Sequence, residues 1–287
     1  MKALLLILSL VACAPKTATT GSTEETVALP SATSLFERNL QVSGTKESLV
    51  GLENLKVLSV MRIPAAGIEG EINIQFKSPN LLLVSQSIPG IGSGTVGFDG
   101  QTAWSSDNMV GPRIIEGKER EEFLMDSQFD SDLEFAHWYP EMKTIGLVEF
   151  NGAPAYQVEA TTRFDRIDTK YFDPKSGLIM GESYSVESPL GPMTMVLKFD
   201  SWAEMEGILM PRLTQIETGP ITMETEILSV EKNQEITEGL FALPPEIQEL
   251  LDEANEAAES ASEQADTTDE AGEAGEAGEA GETPAAE

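Results

Sequence analysis

The chain has 287 residues and a formal net charge of −31, from 18 basic and 49 acidic side chains. This charge argues against nucleic-acid binding, because phosphate contacts require Lys and Arg, and against electrostatic docking on an anionic membrane. One His and one Cys are too few for a usual zinc site and allow no disulfide within the chain. We therefore expect no metal, no cofactor and no catalytic residue.

The first twelve residues predict an export signal. Lys2 precedes a run from Ala3 to Ala12 in which only Ser9 is polar. A basic start followed by a short apolar segment is typical of secretory signals. The run is too short for a transmembrane helix, which needs about 20 residues. We expect residues 1–12 to be removed as a signal peptide.

The signal ends in Leu10-Val11-Ala12-Cys13, which resembles a bacterial lipobox. The resemblance implies cleavage before Cys13 and attachment of lipid to its thiol, which is the single thiol of the chain. The alternative is an ordinary secretory signal with a Cys there by chance. One acyl chain anchors a protein only marginally, but more than one chain anchors it stably.

The residues after Cys13 indicate the location of the mature protein. Ala14 stands where an Asp favours retention at the inner membrane of diderm bacteria, so we expect the outer membrane, at its periplasmic face. Residues 13–30 are rich in Thr, Ser, Ala and Pro, which predicts a flexible tether behind the lipidated Cys.

Residues 31–250 form the predicted domain. Apolar spacing predicts a short amphipathic helix over Ser31–Val42 and a further helical turn over Lys46–Glu53. From Leu55, short runs rich in Val, Ile, Leu and Thr alternate with turn signals, which is typical of an antiparallel meander in a sandwich or barrel. Glu116–Tyr139 lacks β-branched residues and predicts two short helices in the middle of the sheet, ended by Pro140.

Alternation along the later strands predicts one polar face and one apolar, Met-rich face. Met193, Met195, Leu197 and Phe199 share one side of their strand. Over residues 221–227, the residues Ile221, Met223 and Ile227 face in, while Glu224 and Glu226 face out. Few helical segments are available to cover the apolar face.

Five different local sequence patterns follow one another along the domain. They are Phe98-Asp99-Gly100-Gln101-Thr102-Ala103-Trp104; Gly146 through Asn151-Gly152 to Ala155-Tyr156-Gln157-Val158; Tyr171-Phe172-Asp173-Pro174-Lys175-Ser176-Gly177-Leu178; Asp200-Ser201-Trp202 with Glu206-Gly207-Ile208-Leu209-Met210-Pro211; and Asn233 to Phe241 before Pro244. Their order and spacing resemble the LolA/LolB-like superfamily of periplasmic lipoprotein carriers and receptors, particularly its outer-membrane-lipoprotein-sorting members. The resemblance covers about residues 31–250.

This resemblance implies a mainly β (α+β) fold: a curved, half-open antiparallel β-barrel with an N-terminal helix and a central helical lid insert. It also implies a hydrophobic cavity that binds acyl chains, without catalytic residues. Met suits such a lining because its side chain adapts to irregular apolar shapes. We predict that the cavity is lined by Phe76, Trp104, Met180, Met193, Met195, Leu197 and Met223, with Phe123, Leu124 and Phe135 in the lid. Alternatively, these residues pack a dry core.

Residues 251–287 carry thirteen acidic and no basic side chains and end in an Ala-Gly-Glu repeat, which predicts a disordered, solvated acidic tail. Two functions stay open for the domain before it. The first is binding of lipid or lipoprotein acyl chains by an outer-membrane-anchored receptor or carrier in lipoprotein sorting. The second is a non-catalytic envelope scaffold that binds a protein partner through the same fold.

Overall fold

The computed structural model describes residues 28–128, 130–186 and 192–257, and it divides into two compact units, up to Ala242 and from Leu243. The described residues of the first unit form four α-helices and thirteen β-strands. The helices are α1 (Ala32–Ser43), α2 (Thr45–Ser48), α3 (Gly117–Ser127) and α4 (Phe135–Trp138). The strands are β1 (Asn54–Ile63), β2 (Ile68–Lys77), β3 (Leu81–Ile88), β4 (Gly92–Phe98), β5 (Ala103–Asp107), β6 (Gly111–Ile114), β7 (Glu141–Phe150), β8 (Ala153–Thr161), β9 (Ile167–Phe172), β10 (Ile179–Val186), β11 (Met193–Met205), β12 (Ile208–Thr218) and β13 (Ile221–Lys232).

Helix α1 begins and ends where its sequence predicts. The Ser31 side chain accepts a hydrogen bond from the Ser34 amide at 3.2 Å, which caps the first turn. Gly44 adopts a left-handed conformation with φ of 65°, which a residue without Cβ reaches at little cost and which stops the helix. The apolar side of the helix buries Leu35 and Phe36.

All thirteen strands belong to one antiparallel sheet in the order β6-β5-β4-β3-β2-β1-β13-β12-β11-β10-β9-β8-β7. The chain enters at the centre with β1, runs outward to β6, crosses through α3 and α4 to the far edge, and returns to β13 beside β1. The edge strands β6 and β7 are consecutive in the chain but do not pair with each other, so the sheet stays open. The predicted curved, half-open antiparallel barrel with an N-terminal helix and a central helical insert is confirmed.

One face of the sheet buries the main hydrophobic cluster. The register aligns Leu55 with Phe76, Phe76 with Leu82, and Leu82 with Phe98, so these side chains form a row across four strands. A second row belongs to the same cluster: Leu197, Ile216 and Met223 are aligned across β11, β12 and β13. We call the face that buries this cluster the concave face.

A second hydrophobic cluster lies under the helices at the β7 end of the sheet. It joins Phe36 of α1 and Phe135 of α4 to Phe172 of β9, with ring centroids 4.9 and 5.2 Å from Phe36. Val158 and Ala160 of β8 complete the sheet side of this cluster. Aromatic packing therefore holds α1 and α4 against the sheet, at ring separations that are favourable for aromatic pairs.

Trp104, which we predict as a cavity residue, lies outside the main cluster. It is 2% exposed, but it pairs with Gly97 and lies outside the main cluster, whereas its neighbour Ala103 pairs with Phe98 inside it. Successive residues of a strand point to opposite faces, so Trp104 lies on the convex face. Its ring lies directly on Gly97, where a Cβ would be 2.5 Å from the indole.

The second unit contains a helix from residue 245 that continues through residue 257. The acidic tail that we predict from residue 251 therefore begins with helical residues. The signal peptide, Cys13, most of the tether and residues 258–287 lie outside the described residues. Within the described part of the chain, no helix is long and apolar enough to cross a membrane.

Gly97→Ala tests the packing of Trp104 on the convex face. We expect a loss of about 1–3 kcal/mol in the free energy of unfolding, because the added methyl group overpacks a rigid indole. Urea unfolding measures it. Gly146→Ala is the matched control in a strand, because its Cβ meets no atom within 4 Å. Equal stability of the two variants would contradict the packing described.

Candidate functional site

The structure brings five of the predicted lining residues together on the concave face. Phe76, Met195, Leu197 and Met223 belong to the main cluster, and Met193 is half-buried against it. They come from strands β2, β11 and β13, which lie within the same five-strand stretch of the sheet because β13 returns to pair with β1.

Met180 stands apart from that group, and the cause is a β-bulge. The β9–β10 register pairs Ile179 with Phe172 and then Gly181 with Tyr171, so Met180 is the inserted residue. Ile179 takes the inward position and packs against the second cluster, while Met180 is half-buried outside both clusters. The bulge therefore shifts the inward position of this strand by one residue.

The predicted lid residues divide between the two clusters. Phe123 belongs to the main cluster and Leu124 packs against it, whereas Met125 and Phe135 belong to the second cluster. Helix α3 therefore spans both clusters above the open side of the sheet. It is also tied to the edge strand β6, where both terminal nitrogens of Arg113 donate to the Glu119 carboxylate at 2.8 and 2.6 Å.

Two neighbouring cavities lie on the concave face. The first cavity, of about 90 Å³, has α1, α2 and the β11–β12 hairpin at its walls; its lining includes Phe36, Asn39, Leu40, Leu49, Asp132, Lys170, Phe172, Ile179, Glu182, Trp202, Ile208 and Leu209. The second cavity, of about 50 Å³, lies over the central strands; its lining includes Val57, Ser59, Ile74, Phe76, Leu197, Thr214, Ile216, Thr225 and Ile227. Phe199, Met210 and Pro211 line both cavities and stand between them.

Helix α1 covers the first cavity and is fastened to the β9–β10 turn by three polar contacts. Arg38 donates to the carbonyl oxygens of Pro174 at 3.2 Å and Lys175 at 2.6 Å. The side-chain oxygen of Asn39 accepts from the Ile179 amide at 2.8 Å. The two Arg38 contacts are exposed, so water can replace them at modest cost, whereas the Asn39 contact is partly buried.

Sequence reasoning missed a buried charged network on β9 and β10. Arg166 donates to both carboxylate oxygens of Asp168, from Nε at 2.7 Å and from Nη2 at 3.1 Å. The Tyr139 hydroxyl donates to the same carboxylate at 2.7 Å, and Glu122 of α3 lies 3.5 Å from Nη1 of Arg166. Helix α3 therefore contacts the sheet through a buried ion pair as well as through apolar side chains.

The network continues along the same face to a second ion pair. Lys170 of β9 donates from Nζ to Glu182 of β10, and both residues are buried. The Lys170 ammonium lies 5.2 Å from the centre of the Tyr139 ring, and the Arg166 guanidinium lies 4.7 Å from that of Tyr184. Aromatic faces of this kind stabilise buried cations.

One sequence signal could have found this network. In Ile167-Asp168-Thr169-Lys170-Tyr171-Phe172, the two charged residues alternate in phase with Phe172, and Ile167 is on the other side. A rule that turns every apolar residue inward cannot satisfy both Ile167 and Phe172. The structure buries Asp168, Lys170 and Phe172 and leaves Ile167 58% exposed.

The network shifts two pKa values. Burial alone lowers the pKa of Arg166, but the hydrogen bonds and charge of Asp168 outweigh it, so the pKa rises and the guanidinium stays charged. Burial raises the pKa of the Glu122 carboxyl above its usual value and outweighs the opposing charge of Arg166. Deprotonation of Glu122 therefore lowers the stability of the folded state.

The chemistry available at these cavities is that of binding. Their walls supply apolar side chains and a few buried polar groups, the usual composition of a small-molecule site. Within residues 28–128, 130–186 and 192–257, no group of three or more His, Cys, Asp or Glu is placed to hold a metal ion.

No family model matches the chain, and no curated protein matches it in sequence. Among solved structures, it is similar to a DUF1329 family protein from Desulfovibrio piger, with 12% identity, a TM-score of 0.49, and 73% of this chain and 96% of the other covered. A LolA superfamily protein from Nitrosomonas europaea matches with 12% identity and a TM-score of 0.49, over 75% of this chain and 99% of the other.

A domain assigned to outer-membrane lipoprotein sorting, from Vibrio parahaemolyticus, matches with 9% identity and a TM-score of 0.45, over 72% of this chain and 97% of its own. The superfamily that the sequence motifs resemble is thus among the structural matches. At these TM-scores the likeness concerns the general arrangement of strands and carries no information about the ligand.

Glu122→Gln tests the raised pKa of this carboxyl. A group whose pKa is raised in the folded state contributes stability at low pH and loses it as the pH rises through that pKa. Gln is uncharged at every pH and resembles the protonated carboxyl. We therefore expect the variant and the parent to be equally stable near pH 4, and the variant to be more stable than the parent at pH 8. Urea unfolding between pH 4 and 8 measures the difference.

Glu121→Gln is the control for that series, because it removes the same charge from a more exposed neighbour on α3. A difference of similar size in both variants would mean that net charge, rather than burial of Glu122, causes the effect. A Glu122→Gln variant that is less stable than the parent at pH 8 would contradict the raised pKa.

Proposed function

We propose that this protein is a non-catalytic envelope lipoprotein that binds acyl chains of lipids or lipoproteins on the concave face of its sheet. The observation that carries the proposal is a pair of neighbouring cavities on an open sheet, divided by Phe199, Met210 and Pro211; the first lies beneath α1 and α2 and the second over the central strands. An apolar surface of this kind must be covered in a soluble protein, and helices that pack without pairing into the sheet can move aside for a ligand.

The size of the cavities requires such movement. Sites for small-molecule ligands usually enclose about 300–1,000 Å³, whereas the two cavities enclose about 90 and 50 Å³. Methionines on the concave face, including Met195, Met210 and Met223, adapt to the shape of an entering chain. The described conformation is therefore the closed one, and ligand entry displaces helices and rearranges side chains.

The role in the cell follows from the predicted N-terminus. Lipid on Cys13 anchors the protein at the periplasmic face of the outer membrane of a diderm bacterium, with residues 13–30 as a tether. A protein anchored in this way receives acylated molecules at the membrane, so we assign it the part of a receptor or carrier in lipoprotein sorting.

The alternative is an envelope scaffold that binds a protein partner through the same fold. One observation favours it: most of the concave face is filled by the main cluster, including Leu55, Leu82 and Phe98, which are almost fully buried. A core filled in this way needs no ligand to cover it.

Native mass spectrometry of residues 14–287, purified without detergent, separates the two functions. We expect co-purified phospholipid or acylated peptide, and loss of it in Met195→Glu, which places a charge on the concave face. Met109→Glu is the matched control, because Met109 is 64% exposed in the β5–β6 turn. Its lipid content should equal that of the parent.

Thr225→Leu is a second test of lipid binding, for the case in which Met195→Glu does not fold. Thr225 lines the second cavity, and its hydroxyl has no hydrogen-bond partner among the described residues, so Leu fills space without removing a bond. We expect at least tenfold less bound lipid at unchanged stability, with Thr222→Leu on the other face of the same strand, outside both cavity linings, as control. A parent protein that carries no lipid and takes up none on incubation would favour the scaffold.

A further inference from the structure

We propose that the first cavity binds the uncharged, hydroxylated head of an acyl ester of a polyol, such as a monoacylglycerol, at the Lys170–Glu182 ion pair. The acyl chain then runs past Phe199 toward the second cavity. This inference rests on the proposed function and names the class of ligand that the site takes. It follows from the charges at one end of the cavity and the apolar walls at the other.

The polar end of the cavity is built from two neighbouring strands. Lys170 and Glu182 are partners in the β9–β10 register, they are 3% and 1% exposed, and both line the cavity. Their ammonium and carboxylate are joined directly, and the Tyr139 ring lies 5.2 Å from the ammonium. The cavity therefore offers a hydrogen-bond donor and an acceptor side by side, held in fixed positions.

The charge balance at this end selects an uncharged head. The ammonium of Lys170 and the carboxylate of Glu182 compensate each other, and Asp132 is the third charged side chain in the lining. A phosphate or carboxylate head would meet two acidic side chains and one cation that is already paired, at a high desolvation cost. A hydroxyl can donate to Glu182 and accept from Lys170, and it brings no further negative charge into the cavity.

The rest of the cavity is suited to an acyl chain. Phe172, Ile179, Ile208 and Leu209 form its walls, and the dividing residues Phe199 and Met210 lead to the second cavity. The second cavity has no charged side chain in its lining. A head at Lys170 and Glu182 therefore places the chain along the apolar concave face.

Isothermal titration calorimetry on residues 14–287 tests this with three ligands that share one acyl chain: 1-oleoylglycerol, oleate and 1-oleoyl lysophosphatidate. We expect 1-oleoylglycerol to bind at least tenfold more tightly than either anionic ligand. Trp202 lines the first cavity, so a glycerol ester of a dibrominated acyl chain should quench tryptophan fluorescence, and Trp202→Phe should lose most of that quenching.

The double variant Lys170→Met/Glu182→Leu removes the polar end while keeping its volume, a change that folded proteins often tolerate. We expect it to bind 1-oleoylglycerol about tenfold more weakly and to lose the preference over oleate. Lys198→Met/Glu217→Leu is the matched control, because it removes a cross-strand Lys–Glu pair from β11 and β12 outside both cavity linings. This control should keep the parent's preference.

The outcomes separate the two proposals. Equal affinity for the three ligands, preference for an anionic one, or an unchanged preference in the Lys170/Glu182 double variant overturns the assignment of the head group while acyl binding stands. If the parent protein binds none of the three ligands and carries no lipid when purified, the proposed function and this inference both fail.

Discussion

The edge strands β6 and β7 do not pair, and this gap determines how the rest of the first unit is built. In a closed barrel, strands alone enclose the interior. In this open sheet, the apolar concave face has to be covered by segments that are not strands. Helices α3 and α4 lie in the connection between the two edge strands, so they can cover this face without a long additional loop. Helix α1 covers the side nearest β8 and β9 through Phe36.

The buried charges on β9 and β10 lie where the two hydrophobic clusters meet. Tyr184 of β10 packs against the main cluster and Ile179 of the same strand against the second, with Glu182 between them. A buried ion pair stabilises a fold only when its geometry and further hydrogen bonds compensate for desolvation. Asp168 meets this condition through Arg166 and Tyr139. The contact between Glu122 and Arg166 thus fixes the position of α3 on the sheet more specifically than apolar packing alone would.

The same arrangement joins fold to function. Helix α1 is held to the β9–β10 turn by an exposed contact of Arg38 and a partly buried one of Asn39, and to the second cluster by Phe36. Beneath it lie the polar end of the first cavity and the divided apolar space that leads to the second. Opening therefore requires loss of two exposed hydrogen bonds, one partly buried hydrogen bond and some aromatic packing, while the strands of the sheet keep their pairing.

The sequence by itself determined the local elements, because their signals are local. Ser31 and Gly44 bound α1, Pro140 follows α4, and alternation placed Met195 and Leu197 on the concave face. Only the tertiary structure decided what depends on long-range register. The return of β13 to β1 brings Met223 into the same hydrophobic cluster as Phe76 of β2.

Three features of the site depend on contacts between distant residues as well as on local pattern. The bulge at Met180 shifts the strand by one residue, and the face of Trp104 follows from its pairing with Gly97. The inward position of Lys170 depends on partners distant in the chain, Glu182 and Tyr139, that make its burial tolerable. Alternation divides a strand into two faces, but the energy of burial, which tertiary contacts set, decides which face becomes the interior.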